Sequence, residues 1–342
     1  MIGAKVYVQN KFRSIAIGEL RTIKNGENMP KEKKTDYDKL YDQIKIISDK
    51  ANHDILDTLE HNSLGASNID NEYGAHTLLK LSYLNYYLGI FTRIAISRKK
   101  KGGFSKVVFI DAFGGSGLVG IKNTKYTVLG SSLLAALNGG FDKIISFEID
   151  KGRANILSKR LNLILPEKCQ VINGDVNEEI GRIVDNEITS KTIVLFFVDP
   201  EGMEPQFSKL RKLIDKTQYV DILMNYTWGV YRLQGRIEKN FSMPDINKMQ
   251  SFLDGYKLGG TPDEALLEMF ESKFGKPFGD NVPIKSRGEK TEYSMVLRIR
   301  RTQGGTKFID PMKEFGKIIG SYSGEDCNNI LRTIKGDQQS IL

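Results

Sequence analysis

The stretch Val107 to Gly120, VVFIDAFGGSGLVG, constrains this chain more than any other. An apolar, β-branched run ends at Asp111 and then breaks into glycines at 114, 115, 117 and 120 before a new patterned segment begins. This pattern predicts a strand, a tight turn and a ligand held against bare backbone. Glycine leaves room for close approach and tolerates the positive φ that such turns require.

Two cofactors compete for that turn. Gly115, Gly117 and Gly120 spell GxGxxG, the dinucleotide fingerprint, which is a weak signal alone. Asp111 argues the other way: a carboxylate at the strand end repels a pyrophosphate, whereas it can face the methionine ammonium of S-adenosylmethionine (SAM). A nicotinamide fold also expects its ribose acid about 20 residues beyond the glycines. The next strand-ending acid here, Glu148, lies well beyond that. SAM is therefore the expected cofactor.

The 342 residues and 40% apolar content suffice for a sizeable buried core. No run approaches the roughly 18 apolar residues of a membrane span, and no signal peptide is visible, so no membrane is expected. Cys169 and Cys327 stand far apart and offer neither a disulfide framework nor a metal quartet. No metal is expected, and a reducing cytoplasm fits best. Lys and Arg outnumber Asp and Glu by 50 to 42, giving a net charge of +8, a lean towards a polyanionic partner.

Residues 1–74 read as a basic N-terminal extension. Polar and apolar residues alternate from Lys5 to Ile23, which suggests strands, and the segment 1–34 could serve as a nucleic-acid arm or pack on one edge. Helical spacing of Leu40, Ile44, Ile47, Ile55 and Leu59 follows, with His53 and His61 near the polar faces as structural residues. A long helix from His76 to about Ser97 ends in Arg98, Lys99, Lys100 and Lys101, cations that suit a helix C-terminus. From there strand and helix patterns alternate. Strands are expected at 107–111, 143–149, 168–173, 192–198 and 219–225, then a lid insertion at about 226–260, then two closing strands near 281–286 and 292–300. This predicts an α/β fold, a doubly wound, mostly parallel seven-stranded Rossmann-like sheet spanning 75–342.

In such a sheet the ligand lies across the carboxyl ends of the strands, so the residue ending each strand is informative. Glu148 ends the second strand and can accept both ribose hydroxyls; Asp175, after the third, can accept from the adenine amine; Asp199 ends the fourth. Each could instead cap a helix, Asp175 especially. Asp199-Pro200 occupies the position where amino-methylating enzymes carry an Asp or Asn before prolines. A carboxylate and a backbone carbonyl there can hold both hydrogens of a target amine. Glu201 departs from the usual second proline. Beyond the fifth strand, Asn225, Tyr226, Trp228, Tyr231, Arg232 and Arg236 interleave aromatics with cations, either to stack a base and hold phosphates or to pack a lid on itself. Arg298, Arg300 and Arg301 either extend a basic track or protect an exposed edge.

HTLLK at 76–80, IDAFGGSGLVG at 110–120, GSSLLAAL at 130–137, FEID at 147–150, VDPEGM at 198–203 and LMNYTWG at 223–229 together resemble the three-Cys-motif partner (TcmP) family. That family is similar to class I SAM-dependent methyltransferases. The resemblance spans roughly residues 74–320; where the family usually has Asp-Pro-Phe-Gly, this chain has Glu201 before Gly202. It implies a sheet of class I methyltransferase type and a SAM pocket at Asp111, Gly115, Gly117, Glu148 and Asp175, with His76 and Lys80 bordering the cleft. The site expected overall is thus Asp111, Phe113, Gly115, Gly117, Glu148 and Asp175 for the cofactor, Asp199, Pro200 and Glu201 for catalysis, and Asn225, Tyr226, Trp228, Arg232 and Lys80 for substrate. The expected activity is N-methylation of a base amino group in RNA or DNA. A non-catalytic SAM-binding subunit serving a protein partner and a small-molecule methyltransferase are the alternatives.

Overall fold

The computed structural model describes residues 34–52, 55–274, 278–299 and 309–336. The strands expected between Lys5 and Ile23 with their basic arm, His53, and Arg300 and Arg301 lie outside the described residues.

In chain order the elements are α1 (Asp36–Asn52), α2 (Ile55–His61), β1 (Asn71–Tyr73), α3 (Thr77–Lys100), β2 (Lys106–Asp111), β3 (Leu118–Ile121) and β4 (Thr127–Leu129). There follow α4 (Ser131–Asn138), β5 (Lys143–Glu148), α5 (Lys151–Ile164), β6 (Cys169–Asn173), α6 (Val176–Glu187), β7 (Thr192–Val198), α7 (Phe207–Lys216) and β8 (Val220–Thr227). The chain continues through α8 (Gly229–Asn240), α9 (Met243–Phe252), α10 (Pro262–Phe274), β9 (Phe278–Arg287), β10 (Lys290–Ile299), α11 (Ile309–Ser321) and α12 (Gly324–Ile334).

Seven strands form one sheet in the order β6-β5-β2-β7-β8-β10-β9. The pairs from β6 to β8 are parallel, and the β9–β10 hairpin joins antiparallel with β10 against β8. This is the expected doubly wound sheet of class I methyltransferase type. Side chains alternate across it: Val107 and Phe109 of β2 enter one core, while Val108 and Ile110 enter the other. All seven residues of β7, TIVLFFV, are buried, because helices cover both faces and neither can be polar. Burial of each large apolar side chain is worth about 1.5–3 kcal/mol.

The order reverses between β2 and β7: β5 and β6 lie to one side of β2, β7 and β8 to the other. The carboxyl ends of β2 and β7 therefore open a crevice, the place where this architecture accepts a ligand.

Three features add to the sequence reading. Leu40, Ile44, Ile47, Ile55 and Leu59 of α1 and α2 pack into the same core as α3. The stretch expected as a lid at 226–260 forms α8 and α9. Their Val230, Leu233, Ile237, Met249 and Phe252 are buried in the second-face core, because that face of the sheet needs cover. β1, β3 and β4 make a small three-stranded sheet beside the glycine turn, from strands of three or four residues that are too short to show a period. The cations Arg98, Lys99 and Lys100 do end α3, and Lys99 pairs with Asp142 at 2.6 Å. Among the described residues no helix is long and apolar enough to cross a membrane.

At the amino end of β8, Asp221 is half-buried and accepts a 2.7 Å hydrogen bond from the Tyr87 hydroxyl. Burial pushes its carboxyl up to about 6, against an ordinary 3.8, with the Tyr87 bond pulling the other way. A raised folded-state pKa favours the folded protein below about pH 4, and this contribution is lost as pH rises through about 6. Asp221→Asn keeps the acceptor for Tyr87 without the ionisation. Relative to wild type, the variant should gain about 2–3 kcal/mol of unfolding free energy between pH 4 and pH 7, measured by urea denaturation at both values. A constant difference would show that Asp221 ionises in its pocket without cost.

Candidate functional site

The crevice at the strand ends is a cavity of about 320 Å³. Its base is the glycine turn. Ala112 N–H donates to the Phe197 carbonyl at 2.9 Å and Gly114 N–H to the Phe147 carbonyl at 2.8 Å, so the turn is pinned to the ends of β7 and β5. Gly115 and Gly117 lie in the left-handed region, at φ 59° and 91°. A Cβ on Gly117 would also fall 2.8 Å from Leu157, whereas one on Gly115 would meet nothing within 4 Å. Gly117 is thus required by packing and conformation together, Gly115 by conformation alone.

After Gly117 the chain enters β3, with Gly120 inside that strand, rather than a helix. The dinucleotide fingerprint needs a helix N-terminus after its glycines to receive the pyrophosphate. Here that condition fails. The helix that does reach the turn is α4, whose preceding Gly130 N–H donates to the Gly117 carbonyl at 2.7 Å.

Asp111 is completely buried beneath the turn and is absent from the cavity lining. Its Oδ2 accepts from Ser131 Oγ at 2.5 Å and Ser132 Oγ at 2.6 Å, and its Oδ1 from Phe113 N–H at 3.2 Å. Burial pushes the carboxyl up to about 6, the two serine hydroxyls pulling in the opposite sense. Asp111 therefore meets the crevice through Ser131, which lines it, and not directly as the sequence suggested. A strand-ending acid beside a glycine turn looks the same in sequence whether it faces a ligand or clamps the next helix.

The other cofactor candidates, Phe113, Gly115, Gly117, Glu148 and Asp175, line the cavity together. Glu148 accepts from Asp150 N–H at 2.8 Å and pairs with Arg153 at 3.3 Å. Beside it Ile149 is 69% exposed, an apolar side chain presented to the crevice. Asp175 caps α6 through Asn177 N–H at 2.8 Å and also lines the cavity, so the two uses weighed for it coexist.

At the end of β7, Asp199 and Glu201 also line the cavity. Asp199 Oδ2 accepts from Lys80 Nζ at 2.5 Å and Oδ1 from Asn225 Nδ2 at 3.0 Å. Pro200 offers its carbonyl to the same Asn225 amide at 3.5 Å. Glu201 accepts from the Tyr73 hydroxyl at 2.7 Å, and burial, then that bond, raises the Tyr73 hydroxyl to about 12. His76 stands at the N-terminus of α3, edge-on to Tyr293 at 5.8 Å and outside the lining.

The expected substrate group is not brought together. Lys80 lines the cavity; Asn225, Tyr226, Trp228 and Arg232 do not. Tyr226 points into the second-face core, 2% exposed, against Tyr231 and Phe252. The register of β8 decides this: Asp221, Leu223 and Asn225 point to one face, Ile222, Met224 and Tyr226 to the other. Trp228 is 45% exposed and packs edge-on against Tyr231 at 4.4 Å. Arg232 lies exposed on α8, and Arg236 pairs with Asp245. Arg298 is no part of a basic track. It is buried, donates to the Leu297 and Asp280 carbonyls and Asn281 Oδ1, and lies over the Phe270 ring.

Sequence reasoning missed Asn71, Tyr73, Ser131 and Arg153. The serines follow directly after Gly130 in GSSLLAAL, a helix start facing the turn, which is the one signal that pointed to any of them. Missed as well was Arg160, fully buried, which pairs with Asp70 at 2.6 Å and donates to the carbonyls of Leu64, Gly65 and Ser116. That guanidinium ties the loop leading into β1 to the glycine turn.

Five carboxylates, Glu148, Asp175, Asp199, Glu201 and Glu204, line the cavity against two cations, Lys80 and Arg153. The excess of three negative charges repels a pyrophosphate and favours a ligand with cationic groups.

No protein-family model matches the chain, and no curated protein matches it. Solved structures similar to it include a putative O-methyltransferase from Klebsiella pneumoniae, 11% identical over 86% of this chain and 99% of that one, with a TM-score of 0.37. Another is an O-methyltransferase from Bacillus cereus in complex with SAH, 10% identical over 75% of this chain and 99% of that one, TM-score 0.37. A third is M. jannaschii TYW2 in complex with AdoMet, 13% identical over 59% of this chain and 74% of that one, TM-score 0.33. All three scores fall below 0.5, and the fold is assigned from the strand order of the sheet itself.

Removing Arg160 would leave the Asp70 carboxylate without its cation, held by Ser67 alone, and three carbonyls without their donor. Arg160→Leu should cost about 3–5 kcal/mol of unfolding free energy, whereas Lys99→Ala, which breaks a half-exposed pair, should cost under about 1 kcal/mol. Chemical denaturation of both variants checks this, and equal small losses would mean that the Arg160 cluster holds nothing.

Proposed function

We propose that this chain is a SAM-dependent methyltransferase that transfers methyl to an amino group, with a base amino group of RNA or DNA as the target. The observation that carries the proposal is the acid-lined crevice itself. A glycine turn that opens into a strand and Glu148 at the neighbouring strand end form one cavity whose charge suits a sulfonium and an ammonium. In this reading Glu148 would accept the ribose hydroxyls, Ile149 would pack against the adenine, and Asp175 would accept from the adenine amine. Ser131, braced by Asp111, meets the methionine end. Membership of the TcmP family is part of the proposal and rests on the sequence motifs alone.

Asp199, with Pro200 and Glu201 after it, ends the strand beside β2 and receives the target nitrogen. SAM bound there would supply the methyl, its S–C bond breaking as the N–C bond forms, and Asp199 would accept the proton that the nitrogen loses. A carboxylate that accepts the amine's hydrogens aims the lone pair and takes up the positive charge as it develops. A net charge of +8 and the exposed Arg232 support a nucleic-acid partner, and two free cysteines suit a reducing cytoplasm. The acidic lining supports a second reading, a small cationic amine as substrate, since phosphates gain nothing from Glu201 and Glu204. A SAM-binding subunit serving a protein partner would have no use for Asp199.

The test is transfer of labelled methyl from SAM to total RNA, DNA and metabolite pools offered separately. Label should enter RNA or DNA; label confined to metabolites would support the small-amine reading. Asp199→Asn should leave SAM affinity nearly unchanged and lower transfer by about 10²-fold. A variant as active as wild type would defeat the catalytic reading and leave Asp199 as a structural acid.

A further inference from the structure

Lys80 sits where a lysine is costly. It is the fourth residue of α3, whose first turn carries no acid, so its ammonium lies at the positive end of the helix dipole. The residue is 8% exposed. Packing does not demand it, because a methionine would fill the same space.

What the ammonium does is hold Asp199. Nζ reaches Asp199 Oδ2 at 2.5 Å and lies 5.7 Å from the ring centroids of both Tyr73 and Tyr293, within cation–π range of each. The other carboxylate oxygen accepts from Asn225 Nδ2 at 3.0 Å. Donors on both oxygens stop the carboxylate from rotating. A carboxylate has roughly four lone-pair sites, so an incoming donor still finds acceptor capacity. Tyr73, which flanks Lys80, also donates to Glu201 at 2.7 Å. The segment from Asp199 to Glu201 is thus fastened to α3 and β1, two elements that precede the glycine turn in the chain.

We propose that Lys80 is a positioning residue for Asp199 and not a contact for substrate, a refinement that rests on Asp199 being the group that receives the target amine. The two tyrosines keep the ammonium in place, the ammonium sets the carboxylate plane, and of this ion pair it is Asp199 that meets substrate.

The experiment uses the full chain with Lys80→Met and Lys80→Arg, and two independent readouts. The first is amide hydrogen exchange across residues 199–204. Lys80→Met should exchange about tenfold faster than wild type there, and Lys80→Arg within about threefold of wild type. The second is steady-state methyl transfer to the pool that wild type labels. Lys80→Met should lower kcat by about 10²-fold with KM within about twofold, and Lys80→Arg should recover at least about tenfold of that loss. Unchanged exchange in Lys80→Met overturns the positioning role, as does a raised KM with kcat retained, the signature of a substrate contact. Faster exchange together with a wild type that labels no pool would overturn the catalytic reading of Asp199 while upholding its fastening by Lys80.

Discussion

The close approach of backbone at Gly114, Gly117 and Gly130 is the constraint on which the rest of the molecule depends. Gly114 N–H reaches the carbonyl ending β5, Gly130 N–H reaches Gly117, and Leu157 of α5 packs where the missing side chains would stand. Those contacts set the ends of β2 and β5 and the start of α4 around one point. They also bring Ser131 and Ser132 onto Asp111, so a helix start and a strand end share one buried carboxylate. Any side chain at Gly117 would lie in the left-handed region and meet Leu157 at once, and the crevice would lose its base.

Buried charge is spent on holding loops at that crevice. Arg160 with Asp70 binds the approach to β1, and Lys80 with Asp199 binds the segment after β7. Neither pair is a source of stability against apolar replacements, since desolvation offsets most of the attraction. Each fixes the position of backbone that has no regular structure, at the mouth of a site that needs several side chains held at once. Asp221, half-buried at the far end of β8 against Tyr87, has no such place, and its ionisation is a cost to the fold.

Much of this was legible in the sequence. Apolar β-branched runs such as TIVLFFV, alternating with amphipathic helices, announce a sheet covered on both faces, and the acids that end the runs fall at one edge because parallel strands share a direction. Glu148, Asp175 and Asp199 reach one cavity for that reason alone. The side a residue takes was harder to read. Tyr226 follows Asn225 in a plausible binding motif, yet strand alternation turns it into the core, and Arg298 lies buried between β9 and α10 instead of along a track. Contacts made across the chain left no local trace: Lys80 and Asp199 are 119 positions apart, and the Tyr73 that flanks their pair lies in a strand of three residues.

The central claim is that the acid-lined crevice is built for SAM and not for a dinucleotide. Calorimetric titration of the wild type and of Glu148→Ala with SAM and with NAD tests it most directly. SAM should bind the wild type, Glu148→Ala should weaken that binding by about 1.5–3 kcal/mol, as expected for a lost hydrogen bond to a charged group, and NAD should give no heat of binding to either protein. Binding of NAD in preference to SAM, or SAM affinity indifferent to the loss of Glu148, would contradict it.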